Sequence, residues 1–173
     1  MASGQADSSS VATPRPGHYE IDIANSTVAF TTRHLFGLLS VPGTFAISGG
    51  TANVAEPITE SGVEVEIDAA SFRTPTPLRD KVVRSAMYLN TARYPTITFS
   101  SKQWDGETLT GTLTVCGVAS PVVLHVTESS VDEHSFTARA TARVDRTDFG
   151  VTATRGMLDR YLDFTLTVRF VRQ

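Results

Sequence analysis

The 173-residue sequence contains one cysteine, Cys116, which excludes an intramolecular disulfide framework and any multi-cysteine metal site. Charge is sparse and nearly balanced: 18 acidic against 15 basic residues leave −3, so no basic footprint for nucleic acid exists. Long apolar runs are missing as well. Stretches such as Leu35 to Val41 fall well short of the ~18 residues a spanning helix needs, so no integral membrane segment is expected. His18, His34, His125 and His134 show no ligand spacing with acidic company. Nothing resembles a Ser-His-Asp elbow, a phosphate-binding loop or a dinucleotide-binding glycine run. The opening MASGQADSSSVATPRPGH lacks the basic start and the ~7–15-residue apolar segment of an export signal. Residues 1–18 are therefore expected to form a flexible tail outside the fold, with the domain over 19–173 and the chain in the cytoplasm.

What is present is a soluble, single-domain composition, 40% hydrophobic, dominated by period-two alternation. Phe164, Leu166, Val168 and Phe170 alternate with Thr165, Thr167 and Arg169. Leu109, Gly111, Leu113 and Val115 alternate with threonines, and Val63, Val65 and Ile67 with Glu64, Glu66 and Asp68. Val122, Leu124 and Val126 repeat the pattern, with His125 outward. Alternation puts one row of side chains on a dry face and the other in water, and branched Cβ atoms suit the pleat. Asn25-Ser26, Gly49-Gly50, Asp105-Gly106 and Asp132-Glu133 read as turns between the runs. The expectation is an all-β, antiparallel chain of about eight strands.

One segment reads as helical. Thr76 is a candidate N-cap and Pro77 suits the first helical position. Leu78, Val82, Ala86 and Leu89 recur at near-helical spacing with Val83 and Met87 flanking them, and Asp80 and Arg84 are expected to pair on the wet side. Pro95 ends the segment. A single helix among strands suggests a lid or plug on a barrel, and closure of the sheet removes exposed edges.

With about eight strands, a barrel interior holds either side chains or one small ligand. The row Phe136, Ala138, Ala140, Ala142 and Val144 is informative because Arg139 and Arg143 mark the opposite face as outward. Three inward alanines leave space for a ligand or for large residues such as Phe30, Phe45, Phe99 and Phe164. Val28 and Phe30 face inward, so Thr32 and His34 do too, which puts His34 at the barrel mouth as a structural, head-group or acid–base residue. Cys116, ahead of Gly117, reads as inert packing, and Arg146 with Asp148 as a local pair fixing a turn at Phe149-Gly150.

Several motifs resemble one family. Tyr19, Asp22, Ser26, Phe30 and His34 at their spacing, then Gly43-x-Phe45 and Gly49-Gly50, look like the opening of a YceI-like protein. Arg79-Asp80, Ser85 and Tyr94-Pro95-Thr96-Ile97-Thr98-Phe99-Ser100-Ser101 resemble its middle signature. Gly111-x-Leu113-Thr114-Val115-x-Gly117-Val118 and Arg146-x-Asp148-Phe149-Gly150-Val151 are similar to its later ones. The departures are Val82, where the family often has His, and Met87, where it often has Asp. The resemblance implies a lipocalin-like antiparallel barrel with an inserted helix, binding a polyprenyl chain, an isoprenoid quinone or a fatty amide without catalysis. It implies no cofactor other than such a lipid, and a homodimer in many relatives.

The binding role then falls on the inward apolar positions Phe30, His34, Phe36, Phe45, Ile67, Val83, Met87, Ile97, Phe99, Leu113, Leu124, Ala138, Ala140, Ala142, Phe149, Phe164 and Leu166. His34, Arg79 and Arg155 are the candidates for a polar head group. Two alternatives stay open: an enzyme acting on an apolar substrate with His34 as acid or base, and an interaction scaffold with a filled core.

Overall fold

The computed structural model describes residues 11–34, 39–152 and 159–173. Its strands are β1 (Gly17–Ile21), β2 (Thr27–His34), β3 (Leu39–Val54), β4 (Gly62–Arg73), β5 (Thr96–Trp104), β6 (Thr108–Val115), β7 (Val118–Val131), β8 (Ser135–Asp145) and β9 (Tyr161–Arg172). All pair antiparallel in one sheet, which closes through β3–β4 and through β1 and β2 against β9. β1 and β2 share one stave. The first pairs with the distal part of β3 and of β9, the second with the proximal parts, and a 3₁₀ turn over Ile23–Asn25 separates them. The barrel therefore has eight staves built from nine strand segments.

Alternation sets the wall as expected. Val63 and Ile67 are buried while Glu64, Glu66 and Asp68 are exposed, and His125 points outward. Four β-irregularities bend the staves, between Thr44 and Ala46, Ile47 and Gly49, Ser101 and Gln103, and Val126 and Glu128. Gly49-Gly50 is one consequence: it is no turn but lies inside β3 beside such a shift. A Cβ on Gly50 would stand 3.0 Å from the Glu64 carbonyl oxygen, so the bent, closely approached backbone explains the glycine. Gly43 has a similar role, because the ring of Phe30 lies over it and a Cβ there would come within 2.1 Å of Phe30 Cζ.

Strand directions sort the connections into two ends. At one end lie the His34–Leu39 pair, residues 74–95, the Cys116–Gly117 turn and the β8–β9 connection; we call this the upper end. At the lower end lie the β3–β4, β5–β6 and β7–β8 connections. Residues 11–16, expected to stand outside the fold with the rest of 1–18, run along the lower barrel. Val11 bridges Ser129, Ala12 N–H donates to the Ser129 carbonyl (3.3 Å), and Tyr19 Oη donates to the Arg15 carbonyl (2.7 Å). Residues 1–10 are outside the described part.

The helix, α1 (Pro77–Val83), is shorter than its apolar repeat suggests and turns differently. Thr76 makes no side-chain cap. Asp80 is buried rather than wet: its carboxylate accepts from Thr74 N–H (2.9 Å) and Thr74 Oγ1 (2.5 Å). Arg84 does not pair with it but donates to the Phe72 carbonyl (Nε, 3.1 Å). These bonds orient α1 with Asp80 and Val83 inward. Leu78 and Val82 are left 80% and 49% exposed, the reverse of the periodicity argument. After Val83 the chain passes into tighter turns, with Ser85 N–H on the Val82 carbonyl and Leu89 N–H on the Val83 carbonyl. The helical phase is lost there, and Tyr88 and Leu89 turn toward the barrel while Met87 turns out.

Candidate functional site: the barrel interior

The barrel is hollow. A cavity of about 240 Å³ runs through it, lined almost wholly by hydrocarbon. At roughly 25 Å³ per carbon, the ratio for an apolar cavity of about 150 Å³ that holds benzene, it has room for on the order of 10 carbon atoms. Such a space with few polar partners is a poor home for water. Leu166 and Val168, on the inward row of β9, keep part of their surface accessible although they face the centre, and that surface lies against the cavity.

The walls come from nearly every stave. β8 contributes Ala138, Ala140 and Ala142, whose methyl groups leave the room that larger inward side chains would occupy. β2, β3 and β9 contribute Phe30, Phe45, Phe164 and Leu166; β4, β5, β6 and β7 contribute Ile67, Ile97, Phe99, Leu113 and Leu124. Val83 of α1 and Phe149 reach in from the upper end. Met87 does not reach it: this side chain is 67% exposed, for the loss of helical phase described above. Phe36, Arg155 and the side chain of His34 lie outside the described residues.

Two aromatic groups define the ends. Below, Tyr19, Trp104, Phe136 and Phe170 pack as a floor, with Phe136 4.9 Å from Tyr19, 5.2 Å from Phe170 and 6.5 Å from Trp104 between ring centroids. The four are nearly inaccessible, between 1% and 7% exposed. Above, Phe30, Phe45, Phe72 and Phe164 form a looser ring, with centroids 5.4–6.4 Å apart. The large phenylalanines thus fill part of the upper interior and leave the centre open. Trp104 Nε1 is buried without a hydrogen-bond partner, an uncompensated donor in a wall that is otherwise apolar.

Apart from Trp104 Nε1, the polar lining among the described residues gathers at the upper end, where Thr32, Arg146 and Asp159 contribute. Thr32 Oγ1 donates to the Tyr161 carbonyl (2.9 Å). Arg146 donates through Nε to the Asp159 carbonyl (3.0 Å) and through Nη1 to the Val151 carbonyl (2.8 Å), tying together the β8–β9 connection. Arg79 is not part of this group. It sits on α1 and donates through Nη2 to Thr74 Oγ1 (3.2 Å) and Thr76 Oγ1 (3.3 Å), holding the helix entry instead of facing the cavity.

Around this end, Asp145 accepts from Arg160 Nη2 (2.7 Å) and from Thr147, which holds its carboxyl down at about 2 despite partial burial. Asp163 is lowered by Arg143 in the same way. Cys116, in a left-handed turn (φ 53°), places its Sγ 3.2 Å from the Leu89 carbonyl, and burial pushes the thiol up from its ordinary value, as suits a packing residue. Among the described residues no group of three or more His, Cys, Asp and Glu could hold a metal, and no helix is long and apolar enough to cross a membrane.

Two aromatic lining residues that sequence reasoning missed share one cause. Phe72 and Trp104 lie inward at even positions of strands whose earlier inward residues are odd, Ile67 and Ala69 in β4, Ile97 and Phe99 in β5. An irregularity in each strand switches the inward row, and alternation alone carries no sign of it.

Protein YceI of Escherichia coli O157:H7 is 32% identical over 168 residues, spanning 90% of this chain and 87% of that protein. Protein YceI of Salmonella arizonae is 30% identical over 167 residues, with the same coverage. Among solved structures, BcnA of Burkholderia cenocepacia superposes with a TM-score of 0.73 at 20% identity, over 86% of this chain and 98% of that one. A polyisoprenoid binding domain from Saccharophagus degradans, implicated in plant cell wall breakdown, superposes at 0.69 with 13% identity, over 90% and 98%. Residues 19–171, β1 through β9 with the whole cavity between them, match the YceI-like domain, and the chain belongs to that family.

Proposed function

We propose that the protein binds a long apolar lipid of the isoprenoid type inside its barrel and carries or stores it without chemical change. The single observation that carries this reading is a hydrocarbon-lined cavity of about 240 Å³ that the protein's own side chains leave open. The family relationship and the polyisoprenoid-binding domain of Saccharophagus degradans support it.

The energetics favour an apolar chain over a small polar guest. At ~0.8 kcal/mol per buried methylene, about 10 enclosed carbons would gain roughly 8 kcal/mol before losses. Ordering a flexible chain offsets a large share of that sum. The chain would supply the affinity, and a modest polar head beside Thr32, Arg146 and Asp159 would set the orientation, with longer guests extending past the upper end. An apolar tube separates chains differing by a methylene or two by only ~1–3 kcal/mol, so the protein should accept a series of related lipids, isoprenoid quinones included.

Solvent extraction and native mass spectrometry of the purified full chain test this. An apolar guest of fixed stoichiometry is expected, or, in delipidated protein, saturable uptake of geranylgeraniol that displaces an apolar fluorescent dye. A barrel that contains no guest and takes up neither compound would refute the proposal.

A further inference from the structure

The two ends of the barrel carry opposite charge. The three lower connections hold six acidic residues, Glu56, Glu60, Asp105, Glu107, Asp132 and Glu133, all exposed, and no lysine or arginine; with Arg15, Lys102 and Arg172 beside them that end remains net acidic. The described residues of the upper connections hold Arg79, Lys81, Arg84, Arg93, Arg146 and Arg160 against Asp80, Asp148 and Asp159, and Asp80 is buried. Exposed Arg73 ends β4 at the same place. A molecule of net charge −3 thus presents a basic pole at the end where polar groups meet the cavity.

The same pole is greasy. Of the seven exposed large apolar side chains among the described residues, five lie there: Leu78 (80% exposed), Met87 (67%), Leu39 (51%), Val82 (49%) and Val118 (40%). Three of them belong to α1 and the turn after it. They are exposed because buried Asp80 and the Arg84 bond to Phe72 fix the helix with that side outward. Apolar residues interspersed with bases are the composition of a surface that lies in a bilayer interface, where side chains enter the acyl boundary and ammonium and guanidinium groups meet lipid phosphates.

We propose that the upper end docks on an anionic lipid bilayer, with Leu78, Val82 and Met87 entering the interface and Lys81 and Arg93 facing the phosphates, so that the end of the cavity lined by Thr32, Arg146 and Asp159 is turned toward the membrane. This deepens the lipid-binding reading and rests on it for its purpose, but not for its geometry. The charge of the two poles selects this occupant: an anionic surface is drawn to the upper end and repelled by the lower one.

The test is flotation of the full chain with vesicles of phosphatidylcholine, alone and mixed with phosphatidylglycerol. Binding is expected to the mixed vesicles and to weaken as salt is raised. Lys81→Gln should reduce it about fivefold, the effect of one base near an anionic surface. Leu78→Ser combined with Met87→Ser should reduce it at least about tenfold. Glu133→Lys, at the far end, should leave it unchanged. Every variant should retain the same extractable or dye-displaceable guest, since none of these side chains lines the cavity. That readout separates the two proposals: an empty barrel that still floats refutes lipid carriage alone, and a loaded barrel that does not float refutes docking alone. Docking is also overturned if the double serine variant floats like the parent, or if Glu133→Lys raises binding as much as Lys81→Gln lowers it. A third overturning result is a dimer that the double variant dissociates in sedimentation velocity, which would show that a second copy covers this face.

Discussion

Ala138→Phe distinguishes a hollow barrel from a filled one. Ala138 lies on the inward row of β8, beside Val168 of β9 and Ser129 of β7, and lines the cavity while keeping some accessible surface. The substitution adds about six carbons, against the roughly 10 the cavity can hold. In a solid core such an insertion forces neighbours off their rotamers and destabilises by ~1–3 kcal/mol. In a hollow interior the ring gains burial that the unfolded chain lacks, so the guest-free protein should become more stable by ~1–2 kcal/mol. The guest meanwhile loses the place of about six carbons, nominally ~5 kcal/mol of burial. Even if repositioning recovers half, affinity should fall on the order of 100-fold. Urea unfolding of delipidated protein gives the first quantity, and dye-displacement titration with geranylgeraniol the second. Destabilisation with undiminished binding would show that the guest does not use this space and would refute the reasoning.

Three further outcomes follow from single contacts. Gly43→Ala should destabilise by about 1–3 kcal/mol in chemical unfolding, because the new methyl meets the Phe30 ring; an unchanged midpoint would mean that the ring moves aside freely. Asp80→Ala should cost about 1–3 kcal/mol by leaving the buried Thr74 N–H without its acceptor, whereas Asp80→Asn, able to accept one of the two bonds, should cost less; equal losses would deny the hydrogen bonds their role. The Asp145 carboxyl is depressed to about 2 by Arg160, so its pairing stabilises fully above the unfolded value near 3.8 and is lost as pH falls toward 2. Asp145→Asn should therefore lower stability at neutral pH by on the order of 1 kcal/mol, after allowance for solvent screening, and flatten the acid limb of a pH–stability curve. A parallel acid limb in the variant would contradict this.

The legibility of the site in the sequence follows the same division as the contacts. Inward rows such as Ala138, Ala140 and Ala142, or Phe164 and Leu166, were readable because the two faces of a strand differ within a few residues of chain. The helix showed its start and its proline, but not its orientation. Asp80 and Arg84 read as solvent-facing because their burial depends on Thr74 and the Phe72 carbonyl, partners that only the folded loop brings near. Met87 was misplaced for the same reason, and Phe72 and Trp104 were missed because strand irregularities moved them to the inward row.

The sequence by itself determined that this chain is a set of amphipathic antiparallel strands with one inserted helix and an unusually small-sided inward row, since periodicity and side-chain size are local properties. Only the tertiary structure decided that the sheet closes through β3–β4 and β1–β9, that an aromatic floor seals one end, and that bases and exposed apolar residues collect at the other. Those features join residues as distant as Tyr19 and Arg172, and a void is what remains after all such neighbours have been placed.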